Sequence, residues 1–327
     1  MGKTGDRLLD YPSKHDLETS WVEARDGTRL RVLTTGNPRG PRLLCVHGFP
    51  QNAAEWRSLL PLVKDDFHVV LVDLRGFGRS DFAKTGDYTL PTLAGDIVSV
   101  LEATSTLGAP GPAHLLAHDW GGPIAWAVVE ARPDLVAHHV SVNAPHYEAY
   151  ARELVSNPQQ LKSAYYTILF QIPFIEHALA ANGALGMVRA LRGSSIHGTF
   201  SDEDVELYAG PLRDHRRMRA ALSYYRASFR SLVRRLTSRR KDAEAATRPS
   251  GHVPTIVVWG ERDHAINKSV AERMMKEVCP AAELRLVPDA THWVPDERPD
   301  VVARAVLDGL ERTRGNIAAG HRFGASG

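Results

Sequence analysis

Four short segments of this chain carry side chains that could act together. In Leu115-Leu116-Ala117-His118-Asp119-Trp120-Gly121-Gly122 an apolar run ends at a carboxylate with a small residue two places away on each side. A sharp turn from strand into helix has no room for larger side chains at those flanking places. Asp119 then stands at the tip, where such turns usually carry Ser, as a carboxylate nucleophile; a plainer role, N-cap of the following helix, is also open to it. Val46-His47-Gly48-Phe49-Pro50 ends another apolar run, and a turn there can aim the amide of Phe49, with that of Trp120, into the same crevice as an oxyanion hole. The remaining segments are Val258-Trp259-Gly260-Glu261-Arg262-Asp263 and Asp289-Ala290-Thr291-His292-Trp293-Val294-Pro295. An acid at Asp263 and a base at His292, both after the nucleophile, give the chain order nucleophile, acid, base. Glu261 and Asp289 are competing carboxylates in the same stretch.

These residues need strand ends to hold them, because open α/β sheets gather their ligands at the carboxyl ends of the strands. Short β-branched runs predict strands at Ser20–Ala24, Leu30–Thr35, Arg42–Val46, His68–Asp73, Ala113–His118, His138–Asn143, Pro254–Trp259 and Glu283–Val287. Asp26-Gly27-Thr28 reads as a hairpin turn joining the first two. Helical patterns at Leu90–Ala103, Pro123–Ala131, Lys268–Val278 and Asp300–Arg312 supply the crossovers that parallel strands require. From about His146 to Arg240 the pattern is helical throughout, an insertion closed by the polar connector Lys241–Gly251. The expected organisation is a first core part over 1–145, a helical cap over 146–245, a second core part over 246–313 and a flexible tail over 314–327, with a mostly parallel eight-stranded sheet covered by helices on both faces.

The bulk composition narrows the function classes. At 327 residues, 43% hydrophobic and 24% charged, the chain can bury a large core. A net charge of +2 gives no case for nucleic acid, and the Arg-rich stretches Arg213–Arg219 and Arg230–Lys241 read as solvated helix faces. Cys45 and Cys279 form neither a disulfide framework nor a zinc pattern and are expected as free thiols. The opening Met1-Gly2-Lys3-Thr4-Gly5-Asp6 has no apolar core and no myristoylation pattern, and no apolar run approaches the ~18 residues of a membrane span. A cytoplasmic location, no membrane partner and no metal or organic cofactor are the expectations, and a homodimer is compatible with them.

Taken together, the motifs resemble the α/β-hydrolase group that contains soluble epoxide hydrolases, haloalkane dehalogenases and fluoroacetate dehalogenases, over about Trp21 to Leu310. The matching segments are His47-Gly48-Phe49-Pro50, Trp56-Arg57, Asp73-Leu74-Arg75-Gly76-Phe77-Gly78-Arg79-Ser80, His118-Asp119-Trp120-Gly121-Gly122, Gly260-Glu261-Arg262-Asp263 and Thr291-His292. The resemblance implies Asp119 as nucleophile, Asp263 as acid partner, His292 as base, and the helical insertion as a cap over the site. In the cap, Tyr166-Thr167-Ile168-Leu169-Phe170-Gln171-Ile172-Pro173 and Ser223-Tyr224-Tyr225-Arg226 are similar to the segments that carry the two epoxide-binding tyrosines of epoxide hydrolases. This implies Tyr166 and Tyr225 as proton donors to the alkoxide of an opened epoxide, with neighbours Tyr165 and Tyr224 as one-residue alternatives. A phenol suits the task because it stays protonated at neutral pH. The sequence departs from the group at Ala117, where Gly is more usual, and at Ser223-Tyr224, where Asn-Trp is. Trp120 and Pro123 stand where fluoroacetate dehalogenases place arginines, which disfavours a haloacid. A haloalkane dehalogenase with the same nucleophile and a non-catalytic binding protein of this fold are the alternatives to an epoxide-opening enzyme.

Overall fold

The computed structural model describes residues 7–237 and 253–318. Eight strands form one sheet: β1 (Glu18–Glu23), β2 (Arg29–Gly36), β3 (Arg42–Val46), β4 (His68–Val72), β5 (Ala113–His118), β6 (Val136–Val142), β7 (Thr255–Gly260) and β8 (Glu283–Val287), in the order β1-β2-β4-β3-β5-β6-β7-β8. The turn expected at Asp26-Gly27-Thr28 joins β1 to β2: the Asp26 carboxylate accepts the Thr28 N–H and Gly27 takes a left-handed φ of 79°. β2 is antiparallel to both neighbours, β1 and β4, and every other pairing is parallel. Every residue of β3, β5, β6 and β7 is buried, which is why these strands are mostly apolar rather than strictly alternating.

Parallel registers bring the carboxyl ends of the central strands level. Val46 of β3 lies beside Ala117 of β5, His118 beside Val142 of β6, and Val142 beside Val258 of β7. The loops that leave these ends therefore meet over one edge of the sheet. Helix Gly121–Ala131 follows β5 directly and packs on helix Leu90–Ala103, while helix Pro299–Ala318 packs against β5, β6 and β7. That last helix corrects two expectations, since it runs past Arg312 and takes residues 314–318 from the stretch expected as tail. Its buried stripe, Val302, Val306, Leu310 and Thr313, repeats at helical spacing and carries the helix beyond the last strongly apolar residue.

Between β6 and β7 all described regular structure is helical, in the segments Tyr147–Ser156, Pro158–Ser163, Tyr165–Leu169, Ile175–Ser194, Asp202–Ala209 and His215–Thr237. Ser201 and Asp204 start one of them with a reciprocal capping box. The Ile175–Ser194 segment breaks at Asn182, Gly183 and Ala184, which all take positive φ. The expected connector, and with it the expected boundary at 245, lies outside the described residues.

Polar clamps seat this helical layer on the core. Arg57 pairs with Asp204 of the cap and Asp296 of the core, each at 2.7 Å, and Asn52 donates to the Leu207 carbonyl at 2.8 Å. The Arg-rich stretch 213–219 is only partly a solvated face: Arg216 pairs with Asp214 at the surface, but Arg217 reaches the carbonyls of Gly76 and Ser80, and Arg219 holds buried Glu176. Cys45 and Cys279 are both buried and free. Among the described residues no helix is long and apolar enough to cross a membrane.

Candidate active site

Asp119 sits on the sharp turn between β5 and helix Gly121–Ala131 with a left-handed φ of 47°. Such a backbone is costly for a residue with a Cβ and is retained where surroundings over-determine it. Here they do so by close approach. A Cβ on Gly121 would come within 2.3 Å of the Val46 carbonyl oxygen, one on Gly122 within 2.1 Å of the Ala144 Cβ, and one on Gly48 within 2.3 Å of the Asp119 Cβ. Trp120, not Asp119, occupies the N-cap position, and no side chain caps the helix. The Asp119 carboxylate is thus free of the capping role and is turned into the site.

Its two oxygens are held by different groups. Oδ1 accepts the Phe49 N–H at 2.6 Å, and Oδ2 lies 3.3 Å from His292 Nε2. The other ring nitrogen, Nδ1, is 2.7 Å from Asp263 Oδ2. Asp263 and not its competitors meets the histidine, because Asp289 is paired with Arg298 at 2.9 Å and Glu261 with Lys268 at 3.6 Å. Asp263 is itself fixed by the N–H groups of Ala265 and Ile266 on Oδ1 and by Asn143 Nδ2 on Oδ2. Trp120 follows the elbow directly, which places its amide at the helix N-terminus.

The charges in this row are unequal. Burial alone would lower the pKa of His292, but Asp263 and Asp119 on either side outweigh it and raise it to about 10. Burial would raise Asp119, yet its hydrogen bond and ion pair with His292, the neighbouring His118 and the Phe49 amide hold it below the usual carboxylate range. At neutral pH the row is an imidazolium between two carboxylates.

The cap supplies the roof. Tyr166 and Tyr225 face each other with ring centroids 5.9 Å apart, and Tyr225 packs edge-on against Phe49 at 5.4 Å and Trp120 at 5.0 Å. Phe170 closes the aromatic wall, 5.0 Å from Tyr225. The indole N–H of Trp120, beside Tyr225, can only donate, so it makes no claim on the phenol's hydrogen. Burial, followed by neighbouring tyrosines and Asp119, pushes Tyr166 well above its ordinary pKa, and burial followed by Asp119 does the same for Tyr225, so both stay protonated. The one-residue alternatives lie elsewhere: Tyr165 is 69% exposed, while Tyr224 is buried with its hydroxyl donating to the Arg75 carbonyl at 2.9 Å.

Three further side chains at this site went unrecognised in the sequence. Asn143, at φ 42°, accepts the Gly260 N–H at 2.9 Å while it holds Asp263. Tyr150 stands beside Tyr166 and Gln160. Glu55 is wholly buried beneath the elbow, paired with His118. An Asn at a strand end, which tolerates left-handed backbone, is a signal that could have exposed the first; a Tyr on a helix and a Glu in a short turn carry none. Among the described residues no group of three or more His, Cys, Asp or Glu is placed to hold a metal ion.

This geometry has relatives. The family model for the alpha/beta hydrolase fold matches residues 41–299. Epoxide hydrolase 3 of Xenopus tropicalis is 30% identical over 89% of this chain and 77% of its own length. The chain belongs to the α/β-hydrolase fold family, in its epoxide hydrolase branch. Epoxide hydrolase 4 of Homo sapiens is 28% identical over 90% of this chain and 79% of its own. A point variant of an epoxide hydrolase from Bacillus megaterium, solved with its product (R)-3-[1]naphthyloxy-propane-1,2-diol, superposes with a TM-score of 0.75 at 25% identity, covering 89% of this α/β-hydrolase and 100% of that chain.

Proposed function

We propose that this α/β-hydrolase opens an apolar epoxide to a vicinal diol through a covalent ester on Asp119. The observation that carries the reading is the pair of protonated phenols, Tyr166 and Tyr225, set in an aromatic wall opposite a carboxylate whose Oδ1 is anchored to Phe49. An epoxide opens to an alkoxide, which leaves poorly without a proton, and phenols supply it. The names of the relatives agree with this chemistry.

In the first half-reaction Asp119 Oδ2 bonds to a ring carbon as that carbon's bond to the epoxide oxygen breaks, and a phenol protonates the oxygen. No base is needed, which suits a site whose His292 already carries a proton. Forming the ester cancels the Asp119 charge, one of the two that hold that proton. His292 sheds it, restoring the one the phenol gave up, and the neutral ring then takes a proton from water as the water attacks Cγ. The oxyanion grows on Oδ1 against the Phe49 and Trp120 amides and collapses as the Cγ–Oδ2 bond breaks; the departing alkoxide takes the proton of the hydroxyl just added, so the diol leaves with Asp119 ionised and His292 protonated as at the start.

The test is His292→Gln with styrene oxide and, separately, 1-bromobutane. The expected result is a stable adduct of the epoxide's mass on the Asp119 peptide, with diol formed only by the unaltered protein. Bromide release without any diol would instead assign the site to halide displacement.

A further inference from the structure

The base His292 stands between two residues that both reach the same corner of the cap. Before it, Thr291 donates its N–H to Glu297 Oε2 and its hydroxyl to Glu297 Oε1, each at 2.7 Å. Glu297 Oε1 also accepts the main-chain N–H of Ile196, in the cap, at 2.8 Å. After it, the Trp293 indole donates to Ser194 Oγ at 2.9 Å, and its ring packs edge-on against Phe200 with centroids 5.5 Å apart. The histidine itself is held by the core, with Asp263 at Nδ1 and His118 Nε2 at its carbonyl. Its two neighbours are held by cap residues 194–200.

Such a link has consequences because proton transfer tolerates little displacement: a base must stand within about 2.6–3.2 Å of the atom it serves. The main chain on either side of His292 sets where its ring lies, so a cap that leaves its seat at this corner releases the base on both flanks. The corner is separate from the proton donors. It follows the half of Ile175–Ser194 that lies beyond the break at 182–184, whereas Tyr166 and Tyr225 stand on the helices Tyr165–Leu169 and His215–Thr237. A change at the corner can therefore reach the base without moving the phenols.

We propose that Glu297 is a positioning residue that makes the alignment of His292 depend on the cap, so that the base is set for water only while the 194–200 corner is seated. The effect on the reaction is one-sided. Ring opening uses Asp119 and the phenols, and ester hydrolysis uses His292, so the link governs the second step and confines water activation to a closed site. The inference rests on the covalent-ester reading for its kinetic part and on the bonds among Ile196, Glu297 and Thr291 for the rest.

Ile196→Pro cuts the link from the cap side, since proline has no N–H to offer Glu297. Ser195 before it is extended, at φ −103° and ψ 167°, which suits a following proline, and Ile196 is 39% exposed. Glu297→Gln cuts it from the core side: an amide has one accepting end, so either the Ile196 or the Thr291 N–H loses its acceptor. Two measurements follow. Hydrogen–deuterium exchange read by mass spectrometry needs no substrate; the peptide bearing Thr291 should exchange roughly 3–30-fold faster in Ile196→Pro, the range for a weakened hydrogen bond to a charged group. Single-turnover mass spectrometry with styrene oxide should show the adduct clearing roughly 3–30-fold more slowly in Ile196→Pro and up to about 100-fold more slowly in Glu297→Gln, the loss for a reacting group displaced by about 1 Å. Adduct formation should change by less than about threefold in either variant, because ring opening needs no base. Adding Ile196→Pro to Glu297→Gln should slow clearance no further, since both cut one path. Slowdowns that multiply in the double variant would show the cap acting by another route and overturn the proposal. Equal slowing of both steps overturns it too, as does unchanged exchange at Thr291 or unchanged clearance in Ile196→Pro. If the unaltered protein forms no adduct at all, the ester reading fails while exchange at Thr291 still decides the link.

Discussion

Asp263→Asn is the perturbation whose outcome the structure constrains most tightly. Every partner of the carboxylate is a donor: the N–H groups of Ala265 and Ile266 on Oδ1 at 2.8 and 2.9 Å, and Asn143 Nδ2 and His292 Nδ1 on Oδ2 at 2.8 and 2.7 Å. An amide has one accepting end. Whichever way it turns, its NH2 confronts two donors, and leaving two buried donors unsatisfied costs about 2–6 kcal/mol. If the oxygen keeps the two backbone N–H groups, the NH2 faces Nδ1 and drives the ring hydrogen to Nε2, the nitrogen that must accept from water. Loss of the orienting carboxylate and of the correct tautomer should slow ester hydrolysis by roughly 10³–10⁴-fold. Ring opening needs no base and should stay within about tenfold. Rapid-quench kinetics on a sample whose folding is checked by circular dichroism should then show one equivalent of epoxide consumed per site, followed by a stall, with the adduct visible by intact mass. Steady diol production above a tenth of the normal rate would refute the assigned geometry, and so would a folded variant that shows no initial consumption.

Two further outcomes follow from the same structure. Tyr166→Phe and Tyr225→Phe should each slow adduct formation by about 10–1,000-fold, the range for losing one proton or hydrogen-bond donor, and leave adduct clearance nearly unchanged; Tyr165→Phe should be neutral, and Tyr224→Phe should cost about 1 kcal/mol of stability, from its bond to the Arg75 carbonyl, with turnover kept. Acid should destabilise the fold: burial, with neighbouring positive groups adding to it at each, pushes His139 down to about 3, His138 to about 3 and His114 to about 4. Below the unfolded value of about 6.5 the unfolded chain binds the extra protons, so stability falls as pH drops from about 6.5 towards those values, by about 2 kcal/mol per histidine at pH 5. Urea midpoints at pH 7 and pH 5 measure this, and equal midpoints would contradict it.

The parts of the molecule that could be read in the sequence are those where one physical demand shaped several adjacent residues. Burial on both faces left β3, β5, β6 and β7 mostly apolar without strict alternation, and the crowded elbow demanded Ala117, Gly121 and Gly122 around Asp119. Asp263 and His292 were legible because each lies a few residues past the end of a strand. Glu55, Asn143 and Tyr150 were not, since each acts through one partner distant in the chain; Glu55 meets His118 only because β3 and β5 are neighbours in the sheet. The closing helix outran its expected end because Arg314, Gly315 and Asn316 conceal the continuation of a stripe that packing maintains through Thr313.

The anchoring of Asp119 gives its oxygens a history. Oδ1 is held by the Phe49 amide and Oδ2 faces His292, so the two are not interchangeable between catalytic cycles unless the carboxylate breaks its bond and rotates. On the proposed reaction the diol carries away the Oδ2 atom, and the incoming water, attacking from the His292 side, leaves its own oxygen in the vacated place. The side chain is rebuilt at every turnover. The atom that attacks each epoxide is the one that arrived as water to release the product before it.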